Sequence, residues 1–185
     1  MSNPLQDRKI VVGVCGGIAA YKTAMLVSKI VQQGAEVRVV MTRAAKKFVG
    51  TATFAALTGK PVVTRMFADR DFPMGPHIQL TEGADLLIVA PATARFLSQA
   101  ALATSDDLLS TLYLCCRCPV LLAPAMNSRM WEQPAVQRNV AQLKKDGVQF
   151  IEPESGWLSC RQHGAGRMAE PETIQMKIEE LLAKK

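Results

Sequence analysis

Three side chains far apart in this 185-residue chain, His77, Asn127 and Cys160, have the chemistry to move a proton or hold a carboxylate. His77 is one of two histidines, and an imidazole exchanges its proton near neutral pH. A histidine in a loop is also an ordinary surface residue or cap. Asn127 stands in Pro124-Ala125-Met126-Asn127-Ser128-Arg129-Met130-Trp131, directly after the apolar run Val120-Leu121-Leu122-Ala123. Open α/β sheets bind ligands just beyond the carboxyl ends of their strands. There Met126 and Met130 can mould around a flat apolar group. The same spacing also suits Asn127 as a helix N-cap between two core methionines. Cys160 lies among glycine and charge, in Gly156-Trp157-Leu158-Ser159-Cys160-Arg161, unlike a thiol buried for packing. His163 reads as solvated and is assigned no role.

Residues this far apart meet only if the intervening elements bring them to one edge. Residues 9–15 are a continuous β-branched run, the mark of a strand buried on both faces. Gly16-Gly17 turns the chain. Residues 18–33 then carry apolar side chains at helical spacing, and Gly34 ends that helix. Strands are expected at 36–41, 85–90, 119–123 and 148–151, and helices at 94–103, 107–116, 134–145 and 172–183. This alternation predicts a three-layer, Rossmann-like α/β fold, a parallel sheet with helices on both faces. Residues 67–83 are expected as a long loop carrying His77, and 152–170 as a flexible flap carrying Cys160. The whole chain, 1–185, reads as one domain with a polar tail at 1–8.

Several turns fall at strand ends. Glycines at Gly13-Val14-Cys15-Gly16-Gly17-Ile18 let backbone approach a phosphate at a helix N-terminus, although the spacing is not G-x-G-x-x-G. Thr42-Arg43-Ala44 follows the second strand and can cap the next helix or bond a phosphate. Pro91-Ala92-Thr93-Ala94 follows the third, with side chains small enough to leave room for a flat ring. Ser105-Asp106-Asp107-Leu108 reads as an ordinary helix start.

Hydrophobic residues make up 49% of the chain and charged residues 21%, as in soluble globular proteins. No apolar run reaches the roughly 20 residues of a membrane span, and the N-terminus lacks the apolar core of a signal peptide. A cytoplasmic protein is expected. The net charge of +6 is dispersed (Lys46-Lys47, Lys144-Lys145, Lys184-Lys185), without the basic cluster of a nucleic-acid binder, and suits anionic small molecules. Five cysteines in such a compartment are expected as thiols. Cys115-Cys116-Arg117-Cys118 lacks a second Cys/His pair at zinc spacing, so no metal is expected.

The segment 124–131 matches the pattern P-x-M-N-x-x-M-W of the flavin-dependent cysteine decarboxylases. His77-Ile78-Gln79-Leu80, followed by Ala84-Asp85, matches a second motif of that family. Gly156-Trp157-Leu158-Ser159-Cys160, followed by Gly164-Ala165-Gly166-Arg167-Met168-Ala169-Glu170, matches a third. The chain resembles this family from about Lys9 to its final helix, and three motifs in order are far more specific than one. The resemblance implies FMN as cofactor, held by Gly16, Gly17, Ile18, Thr42, Arg43, Ala44, Phe54, Pro91, Ala92, Thr93, Ala94, Asp107 and Ala123. It implies conversion of 4′-phosphopantothenoylcysteine to 4′-phosphopantetheine on the route to coenzyme A. Losing carbon dioxide directly from a cysteine leaves an unstabilised carbanion; oxidising the thiol first gives an electron sink, and reversible two-electron oxidation is what a flavin supplies. Within that chemistry His77 is the implied base. Asn127 holds the substrate carboxylate, flanked by Met126 and Met130. Cys160 is the acid that protonates the enethiolate, and Arg167 steadies the flap or binds substrate phosphate.

Two positions depart from the family pattern. Arg95 replaces an asparagine after Pro-Ala-Thr-Ala, which puts flavin or substrate contacts there in question. Arg161 follows Cys160 where glycine is usual, which bears on flap flexibility. The alternatives are a peptidyl-cysteine decarboxylase of lantibiotic biosynthesis and a non-catalytic flavin-binding regulatory subunit. A flavin prenyltransferase should lack the methionine-asparagine motif. The resemblance further implies a homotrimer, alone or as a dodecamer of trimers, with flavin near subunit interfaces. Bacterial relatives often add a carboxy-terminal ligase domain; read as complete, this chain is expected to be monofunctional.

Overall fold

Continuous apolar runs bounded by turn residues become the five strands of one sheet. They are β1 (Lys9–Val14), β2 (Glu36–Met41), β3 (Leu86–Ala92), β4 (Val120–Pro124) and β5 (Gln149–Phe150). The computed structural model describes residues 3–67 and 72–183. Lys184-Lys185, the first two residues of the tail and residues 68–71 of the segment before His77 lie outside the described residues. The strand order is β2-β1-β3-β4-β5, and every pairing is parallel. Parallel neighbours require crossovers, which the helices α1 (Ala20–Gln32), α2 (Thr51–Thr58), α3 (Pro76–Gln79), α4 (Ala94–Ala101), α5 (Leu108–Cys115), α6 (Ser128–Trp131) and α7 (Pro134–Lys145) help to build. α8 (Pro171–Ala183) closes the described chain.

Strand side chains alternate between faces, so each run serves two cores. Ile10, Val12 and Val14 point to one face with Leu86, Ile88 and Leu121, against Leu26, Val27 and Ile30 of α1 and Ile174 and Ile178 of α8. Val11, Leu87, Val89 and Leu122 point to the other, against Phe96 and Leu97 of α4, Leu109 and Leu112 of α5, and Leu143 of α7. Each such side chain removed from water contributes about 1.5–3 kcal/mol. The three-layer α/β architecture expected above is therefore present.

Some local expectations are corrected. The polar tail is packed where described: Leu5 is fully buried, and Arg8 pairs with Asp85 at 3.0 Å. β3 extends through Pro91 and Ala92, so these residues end the strand rather than follow it. The segment after residue 152 is a two-stranded antiparallel ribbon, β6 (Glu154–Trp157) and β7 (His163–Arg167), with Cys160 in its connecting turn. Backbone pairing between the two strands replaces the irregular chain that its glycines suggest. His77 sits on the single turn α3, introduced by Gly75 at φ 91° with Pro76 at its first position, and not in an open loop.

Candidate active site

The carboxyl ends of the parallel strands leave helix starts pointing at one crevice. Its cavity measures about 870 Å³, within the range of small-molecule sites. Four polar residues around it do local structural work. Thr42 Oγ1 accepts the amide of Ala45 at 3.2 Å. Thr93 caps α4 through the Phe96 amide at 3.4 Å. Asp107 caps α5 in a reciprocal pair with Ser110. Asn127 caps α6, its Oδ1 accepting the Arg129 amide at 2.9 Å. Asn127 thus caps a helix and also lines the cavity. With Oδ1 committed to the cap, the side-chain N–H2 faces the rim and donates to Cys160 Sγ at 3.1 Å.

Two of the three reactive residues therefore meet, 33 positions apart in sequence. The ribbon brings Cys160 there because Gly166 packs directly on the strand-end loop. The Met126 amide donates to Gly166 O at 2.9 Å, and a Cβ on Gly166 would lie 2.3 Å from Met126 O. Trp157, Leu158, Ser159 and Cys160 line the cavity together with Gly16, Gly17, Ile18, Arg43, Ala44 and Ala94. Met126, Met130 and Arg167 also line the cavity.

Other expected residues lie elsewhere. His77 does not line this cavity. It is half-buried on α3, which packs against α5, and its Nδ1 is buried with no hydrogen-bond partner among the described residues. Phe54 is fully buried in the core beside α1, so it is a packing residue and does not reach the cavity. Pro91, Ala92 and Ala123 are buried within their strands, behind the lining. Pro91 still backs the glycine turn, since its Cγ is 3.8 Å from where a Gly17 Cβ would stand.

The rim is cationic. Lys22, Arg43, Arg95 and Arg167 line it, against Asp106 and Asp107. Such a balance favours anionic ligands. Lys22 escaped the sequence reading. It is 6% exposed and donates to Glu170 at 2.9 Å and to Met168 O at 3.1 Å. The available signal was a charge on the face of α1 that also carries Leu26 and Ile30. Glu170 also pairs with Arg167, so one carboxylate ties α1 to the ribbon. The Lys22 hydrogen bond, aided by Arg167, holds the Glu170 carboxyl below its ordinary value. Burial pushes the Cys15 thiol up to about 12, keeping it a neutral wall group. Among the described residues, no three His, Cys, Asp or Glu side chains converge in a way that could hold a metal ion. Among them too, no helix is long and apolar enough to cross a membrane.

A family model described as Flavoprotein matches residues 1–183. The coenzyme A biosynthesis bifunctional protein CoaBC of Mycobacterium tuberculosis is 47% identical over 175 residues, covering 95% of this chain and 41% of that protein. The chain thus spans about two-fifths of the length of the curated relatives it matches. Among solved structures, a Cys-to-Ser mutant of PPC decarboxylase complexed with pantothenoylaminoethenethiol superposes with a TM-score of 0.85 at 27% identity, covering 97% of this chain and all of that one. The FMN-dependent cysteine decarboxylase SpaF superposes with a TM-score of 0.81 at 32% identity, covering 97% of this chain and 98% of that one.

Proposed function

Because the chain belongs to the flavoprotein family, we propose that it is an FMN-dependent decarboxylase converting 4′-phosphopantothenoylcysteine to 4′-phosphopantetheine in the cytoplasm, on the route to coenzyme A. The observation that carries this reading is the contact between the Asn127 amide and the Cys160 thiol at the mouth of the crevice. The name of the 47% identical relative and the PPC decarboxylase likeness support it.

The residues present fit FMN. No side chain caps α1 at Ala19, and Gly16 abuts Ala44 so closely that a Cβ would stand 2.4 Å from the Ala44 Cβ. Backbone from two turns, Thr42 and the Arg43 guanidinium are therefore available to a phosphate. Thr93, Ala94, Met126 and Met130 leave apolar space for a flat ring. When bound, FMN supplies the two-electron oxidation of the substrate thiol and its later reversal.

The remaining work falls to this chain. Asn127, oriented by its own cap, presents amide N–H to the substrate carboxylate and fixes it for departure as carbon dioxide. Cys160, beside the same amide, delivers a proton to the carbon the carboxylate leaves. Trp157 and Leu158 exclude water as the ribbon, the 152–170 flap, covers the substrate. Arg167, braced by Glu170, is offered to the substrate phosphate. His77 takes the thiol proton. Since it does not line the cavity of its own chain, this role requires a second copy, in a homotrimer or a dodecamer of trimers. Exposed Ile18, Tyr21 and Met25 on and before α1, and Met74 and Ile78 around His77, are apolar surface suited to such contacts.

The test is to supply the flavin-loaded protein with 4′-phosphopantothenoylcysteine and with a peptide ending in cysteine, in parallel, and measure carbon dioxide and thiol products. Release from the former alone is expected, and release from the peptide alone rejects the assignment. Mixing inactive His77→Asn and Asn127→Asp chains under subunit exchange should restore part of the activity. No recovery, with exchange verified, rejects the shared site.

A further inference from the structure

A second cluster of reactive side chains lies at the opposite edge of the sheet. α5 ends at Cys115, Cys116 follows as its extended C-cap residue, and Cys118 leads through Pro119 into β4. The cavity opens beyond the carboxyl ends of the strands, so this connection at the amino end of β4 is remote from it. Cys115 is exposed, while Cys116 and Cys118 are half-buried beside the core that contains Leu122, Val140 and Leu143. The Cys116 and Cys118 sulfurs are 3.0 Å apart, and the Cys116 Sγ also lies 3.8 Å from Cys118 O.

We propose that Cys116 and Cys118 form a redox-active dithiol that exchanges with low-molecular-weight disulfides and closes to an intrachain disulfide. The geometry favours closure over metal binding. Two thiolates on tetrahedral zinc, each at about 2.3 Å from the metal, stand roughly 3.8 Å apart. A disulfide needs about 2.05 Å, so the observed pair must approach by only about 1 Å. No further His, Cys, Asp or Glu among the described residues completes a metal site.

The chemistry balances. The Cys116 thiolate attacks one sulfur of the small disulfide, forming a mixed disulfide and expelling one small thiolate. The Cys118 thiolate then attacks Cys116 Sγ, forming the intrachain bond and expelling the second small thiolate. Two protein thiols lose two electrons and two protons, and one disulfide becomes two thiols. The Cys118 hydrogen bond pulls the Cys116 thiol down to about 7 against the opposing effect of burial, which makes Cys116 the attacking group near neutral pH.

Arg117 between the two cysteines gives a direct readout, because trypsin cuts after it. The reduced, flavin-loaded protein is titrated with oxidised glutathione, its remaining thiols are alkylated, and the digest is analysed by mass spectrometry without reduction. Two of the five thiols should be lost, and the peptides 96–117 and 118–129 should remain joined through one disulfide until reductant is added. Cys115→Ser should leave the link intact, whereas Cys116→Ser and Cys118→Ser should each abolish it and stop at a glutathione adduct. As a second readout independent of exchange, one equivalent of a trivalent phenylarsine oxide should protect both thiols in wild type and in Cys115→Ser. Persistent glutathione adducts without the crosslink in wild type, or a crosslink made through Cys115, overturns the proposal. If a serine variant fails to fold, the wild-type peptide map and the Cys115→Ser protein decide alone.

Discussion

Gly166→Ala should separate the two reactive residues without touching either. Gly166 lies in β7 at φ 123°, a conformation that costs a non-glycine residue about 1–3 kcal/mol. The added Cβ would stand 2.3 Å from Met126 O, some 1.1 Å inside ordinary contact at 3.4 Å. The obstacle is backbone, so no rotamer relieves it, and the ribbon must withdraw. A withdrawal of that size takes the Asn127–Cys160 contact from 3.1 Å to about 4 Å, the outer limit for a hydrogen bond to sulfur, where little of its strength remains. It also weakens the Met126 amide to Gly166 O bond, worth about 0.5–1.5 kcal/mol. Together these effects destabilise by about 2–4 kcal/mol and lower the melting temperature by roughly 5–12 °C. Turnover should fall by about 10²-fold, the usual consequence of misplacing a reacting group by 1 Å. Gly147→Ala is the control. Gly147 has φ 89° with open space around it, so alanine there carries backbone strain without a clash and should lower stability while sparing turnover. The assay is carbon dioxide release from 4′-phosphopantothenoylcysteine at matched flavin content, beside a thermal melt. If Gly166→Ala turns over within about threefold of the parent, the ribbon does not position Cys160 and the reasoning fails.

Asn127→Asp keeps the cap of α6, since aspartate caps as well as asparagine, but sets a like charge against the substrate carboxylate. Flavin absorbance should persist while turnover falls at least 10³-fold, about 4 kcal/mol at an effective dielectric of 20 and 4 Å; near-native turnover removes Asn127 from the site. Cys160→Ser should still release carbon dioxide but accumulate the enethiol, detectable by mass spectrometry, and normal 4′-phosphopantetheine formation would exclude Cys160 as the acid. Glu170 is depressed below its ordinary 4.5, chiefly by the Lys22 hydrogen bond. A depressed carboxylate contributes stability that is present above about pH 4.5 and is lost as pH falls through its folded-state value. Glu170→Gln should therefore melt lower than the parent at pH 7, with the gap narrowing as the pH drops below 4.5. A gap that is constant with pH removes this carboxylate from the ion-pair network.

Regular elements were the most legible. After Lys9 the 9–15 run, like the 119–123 run, carries no polar side chain, and only a strand covered on both faces tolerates that. Helix ends were legible where a cap or a left-handed glycine marks them, as at Asp107 and at Gly34 with φ 86°. The ribbon at 154–167 was not, because Gly156, Gly164 and Gly166 weaken its strand pattern and its order comes from pairing and from Met126. Phe54 was misplaced for a different reason. An aromatic near a predicted crevice packs equally well into a core, and only the position of α2 chooses between them.

The amino-acid sequence alone determined the alternation of strands and helices, and with it the edge of the sheet where a ligand binds. It also supplied the reactive groups, an imidazole, an amide and a thiol, because residue type and motif spacing are local properties. Tertiary structure decided which of them meet. Asn127 faces Cys160 because a cap consumes one side of its amide and a glycine lets the ribbon close on Met126. His77 stays on another surface of the same chain, since α3 packs against α5 and not over the cavity. Such distances depend on how separate elements pack, and no window of sequence contains them.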